Sequence, residues 1–166
     1  MKIVIQTALE SDESDHLFKW RDNVFPIEGR DFQWAGSTHH IIAKDLGLAI
    51  AHIGFAEFLV VGKNEKKQVI GVGGVVVRPE YQGQNIPEQM FEVLNATDTL
   101  DARRRVKTLF CPERLVSYYQ RHGYSKYSHR FRFKQNQVFT ETDKLHFMVR
   151  GELGFTCDLS IPSHPW

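Results

Sequence analysis

Residues 71–94, GVGGVVVRPEYQGQNIPEQMFEVL, form the stretch whose residue types and spacing could do chemistry. An apolar strand carries Gly71, Gly73 and Gly74 and stops at Arg78-Pro79. A short polar loop, Tyr81-Gln82-Gly83-Gln84, then leads straight into a helical pattern. Glycine weakens a strand, so three together suggest a bulge or a close approach by another backbone or a ligand. Loop amides at a helix N-terminus form a ready anion site. The same residues also read as an ordinary strand–loop–helix junction, with Asn85 as N-cap, Glu88 as its capping-box partner and Pro87 in the first turn. Local physics leaves both readings open.

The elements around this segment follow from hydrophobic period. KIVIQT (2–7) reads as a first strand. Ser11 can cap a helix with Asp12 and Glu13 in its first turn, and Leu17, Phe18, Trp20 and Val24 offer its apolar face. Pro26 and Gly29 open a loop to about Ser37. THHIIAK (38–44) and Leu48 to Val61 are strand-like, and the charged turn GKNEKK (62–67) closes a hairpin onto QVIGVGGVVV (68–77). A helix is expected from Pro87 to about Asp101, with Met90, Leu94 and Thr97 on one stripe and Phe91 beside it. VKTLF (106–110) is a short buried strand. Pro112 opens a helix that Gly123 ends. SHRFRFK (128–134) alternates, and LHFMV (145–149) is the last clear strand. The order predicts an α+β fold, a mixed and largely antiparallel sheet flanked by helices.

The 166 residues fit one domain, 1–166, large enough to bury a core. Apolar residues make up 42% and charged residues 25%, the balance of a globular chain rather than a disordered one. No run approaches the ~18–20 apolar residues of a membrane span, and MKIVIQTALESDESD lacks the pattern of a signal peptide. A cytoplasmic location is the expectation. Net charge is +1, but residues 102–134 hold ten bases against the single acid Glu113, a stretch able to receive a phosphorylated ligand. Cys111 and Cys157 make neither a disulfide framework nor a zinc site. His39 and His40 are adjacent and point to opposite faces of a strand. The remaining histidines lack ligand spacing, so no metal is expected.

Val75-Val76-Val77-Arg78-Pro79-Glu80-Tyr81-Gln82-Gly83-Gln84-Asn85-Ile86-Pro87 resembles the acetyl-CoA motif of the GNAT (Gcn5-related) N-acetyltransferases: a strand, Q/R-x-x-G-x-G/A, then a helix. The resemblance implies the GNAT acyl-CoA N-acyltransferase fold, with acetyl-CoA as co-substrate. The backbone of Val75, Val76 and Val77 would pair with the pantetheine arm, and the loop Gln82, Gly83, Gln84, Asn85, Ile86 and Pro87 would hold the pyrophosphate. Asn85 and Pro87 stand where the family uses small residues, and Pro87 has no N–H to offer. Leu115 to Tyr124 is similar to the family pattern F-Y-x-x-x-G-F. It puts Tyr119 where many members place a tyrosine near the thioester sulfur. A phenol with a pKa of ~10 stays protonated at neutral pH and can protonate a leaving thiolate.

A narrower resemblance is to the aminoglycoside 2′-N-acetyltransferases. It rests on Asp31-Phe32, Ser37-Thr38-His39-His40, the hairpin at Leu48-Ala49-Ile50-Ala51-His52, the acidic loop Glu141-Thr142-Asp143, and a tail with Thr156-Cys157-Asp158 and Trp166. It implies that Asp31, Asp143 and the Trp166 α-carboxylate receive the ammonium groups of the acceptor. Those enzymes carry a glutamate base where this chain has Gly73, and an acid where it has His164. A hairpin closed by residues 62–67 places Glu57 opposite Val72 or Gly73, as a substitute base.

The reading is therefore direct transfer of acetyl from acetyl-CoA to a primary amine of a small polycation, an aminoglycoside or amino sugar. Tyr119 would act as acid and Glu57 as base. No nucleic-acid or membrane partner is expected, and a homodimer is left open. The alternative is a catalytically impaired GNAT-fold module for ligand binding or interaction, for which Gly73, Asn85 and Pro87 argue. RNA binding through Arg103–Arg105 and the aromatics of 118–131 lacks any supporting motif.

Overall fold

The computed structural model describes residues 1–166. The elements are β1 (Lys2–Gln6), α1 (Ser11–Phe18), β2 (His39–Asp45), β3 (Leu48–Val61), β4 (Lys66–Val77), α2 (Ile86–Ala96), β5 (Lys107–Cys111), α3 (Glu113–Arg121), β6 (Ser125–Lys126), β7 (Phe131–Gln135), β8 (Val138–Thr140), β9 (His146–Arg150) and β10 (Leu159–Ile161). They build one ten-stranded sheet in the order β6-β9-β5-β4-β3-β10-β7-β8, with β2 also on β3 and β1 on β2. Only β4–β5 and β10–β7 pair in parallel; every other pair is antiparallel. The expected mixed sheet with flanking helices is what forms.

Strand β3 is the spine. Its run from Ala49 to Phe55 is buried throughout because both of its faces are covered. On one face Leu17 of α1 packs with Ile42 and Val76. On the other, Met90 and Leu94 of α2 and Val116 of α3 pack with Ile41, Ile53 and Phe55. Each such side chain withdrawn from water contributes about 1.5–3 kcal/mol. A second cluster of Phe110, Phe133, Phe147 and Trp166 joins β5, β7, β9 and the tail. Phe110 and Phe147 both meet the Trp166 indole edge-to-face, a geometry that adds about 0.5–1.5 kcal/mol per pair beyond area.

Several local expectations are corrected. Helix α1 starts at Ser11 itself, with Glu10 as N-cap, and Glu13 Oε2 accepts the Glu10 N–H at 3.0 Å. Helix α2 stops at Ala96 rather than near Asp101, because Thr97 is extended and Leu100 takes a positive φ of 52°. The hairpin turn is tighter than 62–67: Val61 pairs with Lys66, so Glu57 lies opposite Ile70, while Phe55 and Gly54 face Val72 and Gly73. The short strands β6, β8 and β10 carry too few residues to show a period.

All three strand glycines are close approaches. A Cβ on Gly71 would run into the Phe58 ring and lie 2.5 Å from the Trp166 indole, and one on Gly73 would lie 2.9 Å from the main-chain carbonyl carbon of Trp166. Gly71→Val is expected to destabilise the protein by about 1–3 kcal/mol in urea unfolding. Gly36→Ala, where a new Cβ meets nothing within 4 Å, should stay within about 0.5 kcal/mol. Equal midpoints for the two variants would contradict this packing.

Candidate active site

Strands β4 and β5 run side by side only at Ile70↔Lys107 and Gly71↔Thr108. Beyond Gly71 the two part, and residues 72–77 of β4 keep β3 on one edge and no strand on the other. Just past the parting β4 is distorted. Between the pairs Gly54↔Gly73 and His52↔Val76, β4 carries one residue more than β3, a β-bulge, and Gly74 takes φ +59°. The bulge expected from the glycines is present, and it leaves an open strand edge of the length an extended ligand arm could pair with.

The open edge leads into the loop before α2. Asn85 is the helix N-cap, but in the left-handed conformation (φ 53°, ψ 28°) and with no side-chain hydrogen bond to the helix. The capping-box reading of Asn85 and Glu88 therefore gives way to a loop turned by backbone. Asparagine is among the few residues that tolerate this region. The amides of Gly83, Gln84 and Asn85 have no acceptor within the protein, and the helix start adds its partial positive charge. Buried Ile86 anchors the turn, and Pro87 falls in the first helical turn, where a missing N–H costs no intrahelical bond. Gln82 and Gln84 donate to the Val77 and Glu80 carbonyls, at 3.2 Å each. These features fit a diphosphate held by backbone N–H groups.

A cavity of about 480 Å³ opens at the splay. Its walls are Val72–Val75 of β4, Leu109–Cys111 of β5, Leu115 and Tyr119 of α3, His40 and His52 of β2 and β3, and the segment 25–37 with Phe32 and Trp34. That segment is clamped over the mouth. Trp34 Nε1 donates to the Gly29 carbonyl at 2.7 Å, the Ala35 N–H to the Pro165 carbonyl at 2.8 Å, and Gln33 exchanges backbone bonds with the Gln135 amide. Tyr119 is buried, and burial pushes its phenol above the ordinary value, with Tyr118 adding to the effect. It is a proton donor held fully protonated at neutral pH. Cys111 also lines the cavity, but burial pushes its thiol up to about 12. As a thiol rather than a thiolate it is a poor nucleophile.

The other expected site residues lie elsewhere. Glu57 does not line the cavity; its carboxylate pairs with the Arg105 guanidinium. Asp31 is exposed and lies 3.3 Å from Lys144 Nζ, next to exposed Asp143. Neither aspartate lines the cavity, although their neighbours Arg30, Phe32 and Leu145 do. Trp166 does: it is buried, stacked on Phe58 at 4.2 Å, and its indole N–H donates to the Thr108 carbonyl at 3.0 Å. Its main-chain carbonyl group occupies the space beside Gly73.

Sequence reasoning missed His40 and His52. They are not ligands at a helical or loop spacing but diagonal neighbours on one face of the β2–β3 hairpin, since His40 pairs with Gly54 and His52 with Ile42. Counting straight back from the turn at 46–47 would have put them on opposite faces; the β-bulge between Ala43 and Lys44, which shifts the register by one residue, brings them to the same one. His52 Nδ1 lies 2.6 Å from the Gly74 carbonyl oxygen, and His52 Nε2 lies 2.9 Å from His40 Nδ1. Gly74 leaves the room this requires, as a Cβ there would sit 3.1 Å from the His52 ring.

No protein-family model matches the chain, and no curated protein matches it by sequence. Solved structures do match. An acyl-CoA N-acyltransferase from Pseudomonas aeruginosa superposes with a TM-score of 0.58 at 20% identity, over 90% of this chain and 99% of the other. The GNAT family N-acetyltransferase YhbS from Escherichia coli, in complex with CoA, gives 0.57 at 19%, over 96% and 89%. A chain of the NatB acetyltransferase complex, bound to CoA and MES, gives 0.55 at 15%, over 89% and 97%. The chain has the GNAT acyl-CoA N-acyltransferase fold.

Burial pushes the His52 pKa down to about 4, against 6.5 for a free imidazole, despite the hydrogen bond to Gly74. The unfolded chain therefore binds a proton between pH 6.5 and 4 that the folded chain refuses. The stability tied to neutral His52 is complete above about 6.5 and lost as pH falls towards 4. The loss is on the order of 3 kcal/mol. Urea unfolding at pH 7.5 and 4.5 is expected to show this slope, flattened in His52→Gln.

Proposed function

We propose that this protein is an acetyl-CoA-dependent N-acetyltransferase that acetylates a primary amine of a small acceptor by direct attack. The observation that carries the reading is convergence. The unpaired edge of β4, the free amides of Gly83–Asn85 and the buried phenol of Tyr119 all border one cavity or its approach. In this reading the pantetheine arm of acetyl-CoA adds to the edge at Val75–Val77, and its diphosphate sits on the loop from Gln82 to Pro87. The acceptor nitrogen bonds to the thioester carbonyl carbon, the C–S bond breaks, and the Tyr119 hydroxyl protonates the departing thiolate. Acetyl passes from sulfur to nitrogen without an acyl-enzyme, in keeping with a Cys111 that stays a thiol at neutral pH.

For the acceptor we carry the polycationic amine, an aminoglycoside or amino sugar. Its reacting amine lies in the cavity beside the Trp166 main-chain oxygens. Its other ammonium groups lie outside, near Asp31 and Asp143, where exposed carboxylates can meet them. The aromatic walls, Phe32 and Trp34 among them, suit the sugar-ring faces and also attract cations.

Calorimetry is expected to show micromolar binding of acetyl-CoA to the purified protein. Release of CoA thiol should then be seen with kanamycin or tobramycin, and exceed that with phenethylamine, a monoamine matched to the aromatic wall alone. Tyr119→Phe should lower kcat by about 100-fold with acetyl-CoA affinity unchanged. No binding at millimolar acetyl-CoA would return the protein to a binding module, and turnover of phenethylamine alone would remove the polycation.

A further inference from the structure

The attacking nitrogen must lose a proton, and no side-chain carboxylate lines the cavity to take it. Gly73 has no side chain, and Glu57 is held by Arg105. Of the titratable side chains that do line the cavity, Arg30 is a fixed cation, Cys111 and Tyr119 are proton-bearing at neutral pH, and only His40 and His52 remain.

The hydrogen bonds of that pair dictate where its protons are. The Gly74 carbonyl can only accept, so the bond at 2.6 Å puts a hydrogen on His52 Nδ1. A neutral His52 then has a bare Nε2, which can only accept. The bond at 2.9 Å must therefore be donated by His40 Nδ1. This leaves His40 Nε2 bare, with no partner in the protein, on a ring that lines the cavity. The chain of bonds ends on the carbonyl of the bulge residue next to Val75. It thus ties the imidazole pair to the same distortion of β4 that opens the edge for the thioester arm. Tyr119 reaches the cavity from α3, on the opposite side of the sheet from α1, whose Phe18 meets His52 edge-on at 5.2 Å.

We propose that His40 is the proton acceptor of the acetyl-transfer step and that His52 is the residue that positions it, an inference that rests on the acetyl-transfer reading. The acceptor ammonium first gives a proton to His40 Nε2, which frees the nitrogen lone pair. As the N–C bond then forms and the C–S bond breaks, Tyr119 protonates the departing thiolate and takes up the second proton released by the acylated nitrogen. The imidazolium of His40 then returns its proton through solvent, and the phenol is restored. His40 suits the task because it is neutral at neutral pH. Partial burial and the neighbouring His39 hold its pKa below the ordinary value. The other charged groups near it are Glu13 of α1, which acts against that shift and is itself paired with Lys44, and Arg30 of the cavity mouth.

Two measurements test this separately from the enzyme reading. Long-range ¹H–¹⁵N spectra of the protein at pH 7.5 should show both histidines as the Nδ1–H tautomer, the minor form of free histidine. In His52→Asn the tautomer of His40 should revert to a mixture. In the kinetics, with acetyl-CoA and kanamycin or whichever amine is turned over, His40→Gln should lower kcat/KM about 100-fold at pH 7 with acetyl-CoA affinity unchanged. That deficit should shrink towards pH 9, where the acceptor arrives deprotonated. His52→Asn should lower kcat more than it raises KM. An Nε2–H tautomer at His40, or a His40→Gln enzyme with the unaltered pH profile, would overturn the proposal while leaving acetyl transfer standing. Locked Nδ1–H tautomers in a protein that acetylates no amine would overturn acetyl transfer, and the proton acceptor with it.

Discussion

Strand β4 cannot be paired on both edges along its whole length, and that constraint organises the molecule. Only at Ile70 and Gly71 does it have a strand on both edges; from Val72 onward it has β3 alone. An unpaired run of backbone N–H and C=O groups is costly where water cannot reach it. The protein resolves this by making the run border a cavity, with the bulge at Gly74 turning it away from β5. The helix start after β4, the tyrosine of α3 and the histidine pair of the β2–β3 hairpin all take their positions from that opening.

Most of the frame was legible in the residues because the frame depends on short-range rules. Period-two runs placed β1, β2, β3, β4 and β9, and the Pro112–Gly123 punctuation placed α3. The glycine triplet predicted close approach, and the three neighbours it meets are Phe58, Trp166 and His52. What sequence could not supply was register. Closing the β3–β4 turn too wide put Glu57 opposite Val72 or Gly73, whereas the observed turn moves it to Ile70 and to a partner, Arg105, that is 48 residues away. The histidine pair was missed for the same reason, since its meaning depends on which residues of two strands lie diagonally across from each other.

The acidic positions show a different limit. Asp31 and Asp143 were singled out by resemblance, and each lies in a loop whose neighbours reach the cavity while the carboxylate itself points to solvent and, for Asp31, to Lys144. Residue type and order place such a loop near a site. They do not determine which of two consecutive side chains turns inward, because outside regular structure there is no fixed alternation to decide it.

The tail strand β10 sits between β3 and β7, antiparallel to one and parallel to the other, and the Trp166 that follows it fills the space beneath Gly71 and Gly73. During synthesis, then, β3 and β7 emerge from the ribosome long before the strand that joins them. Until it arrives, the half of the sheet beyond β3 has an open edge, and the aromatic cluster lacks its central ring. A chain of this wiring has to hold that edge unsatisfied while the rest condenses, which favours slow closure and exposes an interval in which the nascent protein is open to strand-pairing with its neighbours.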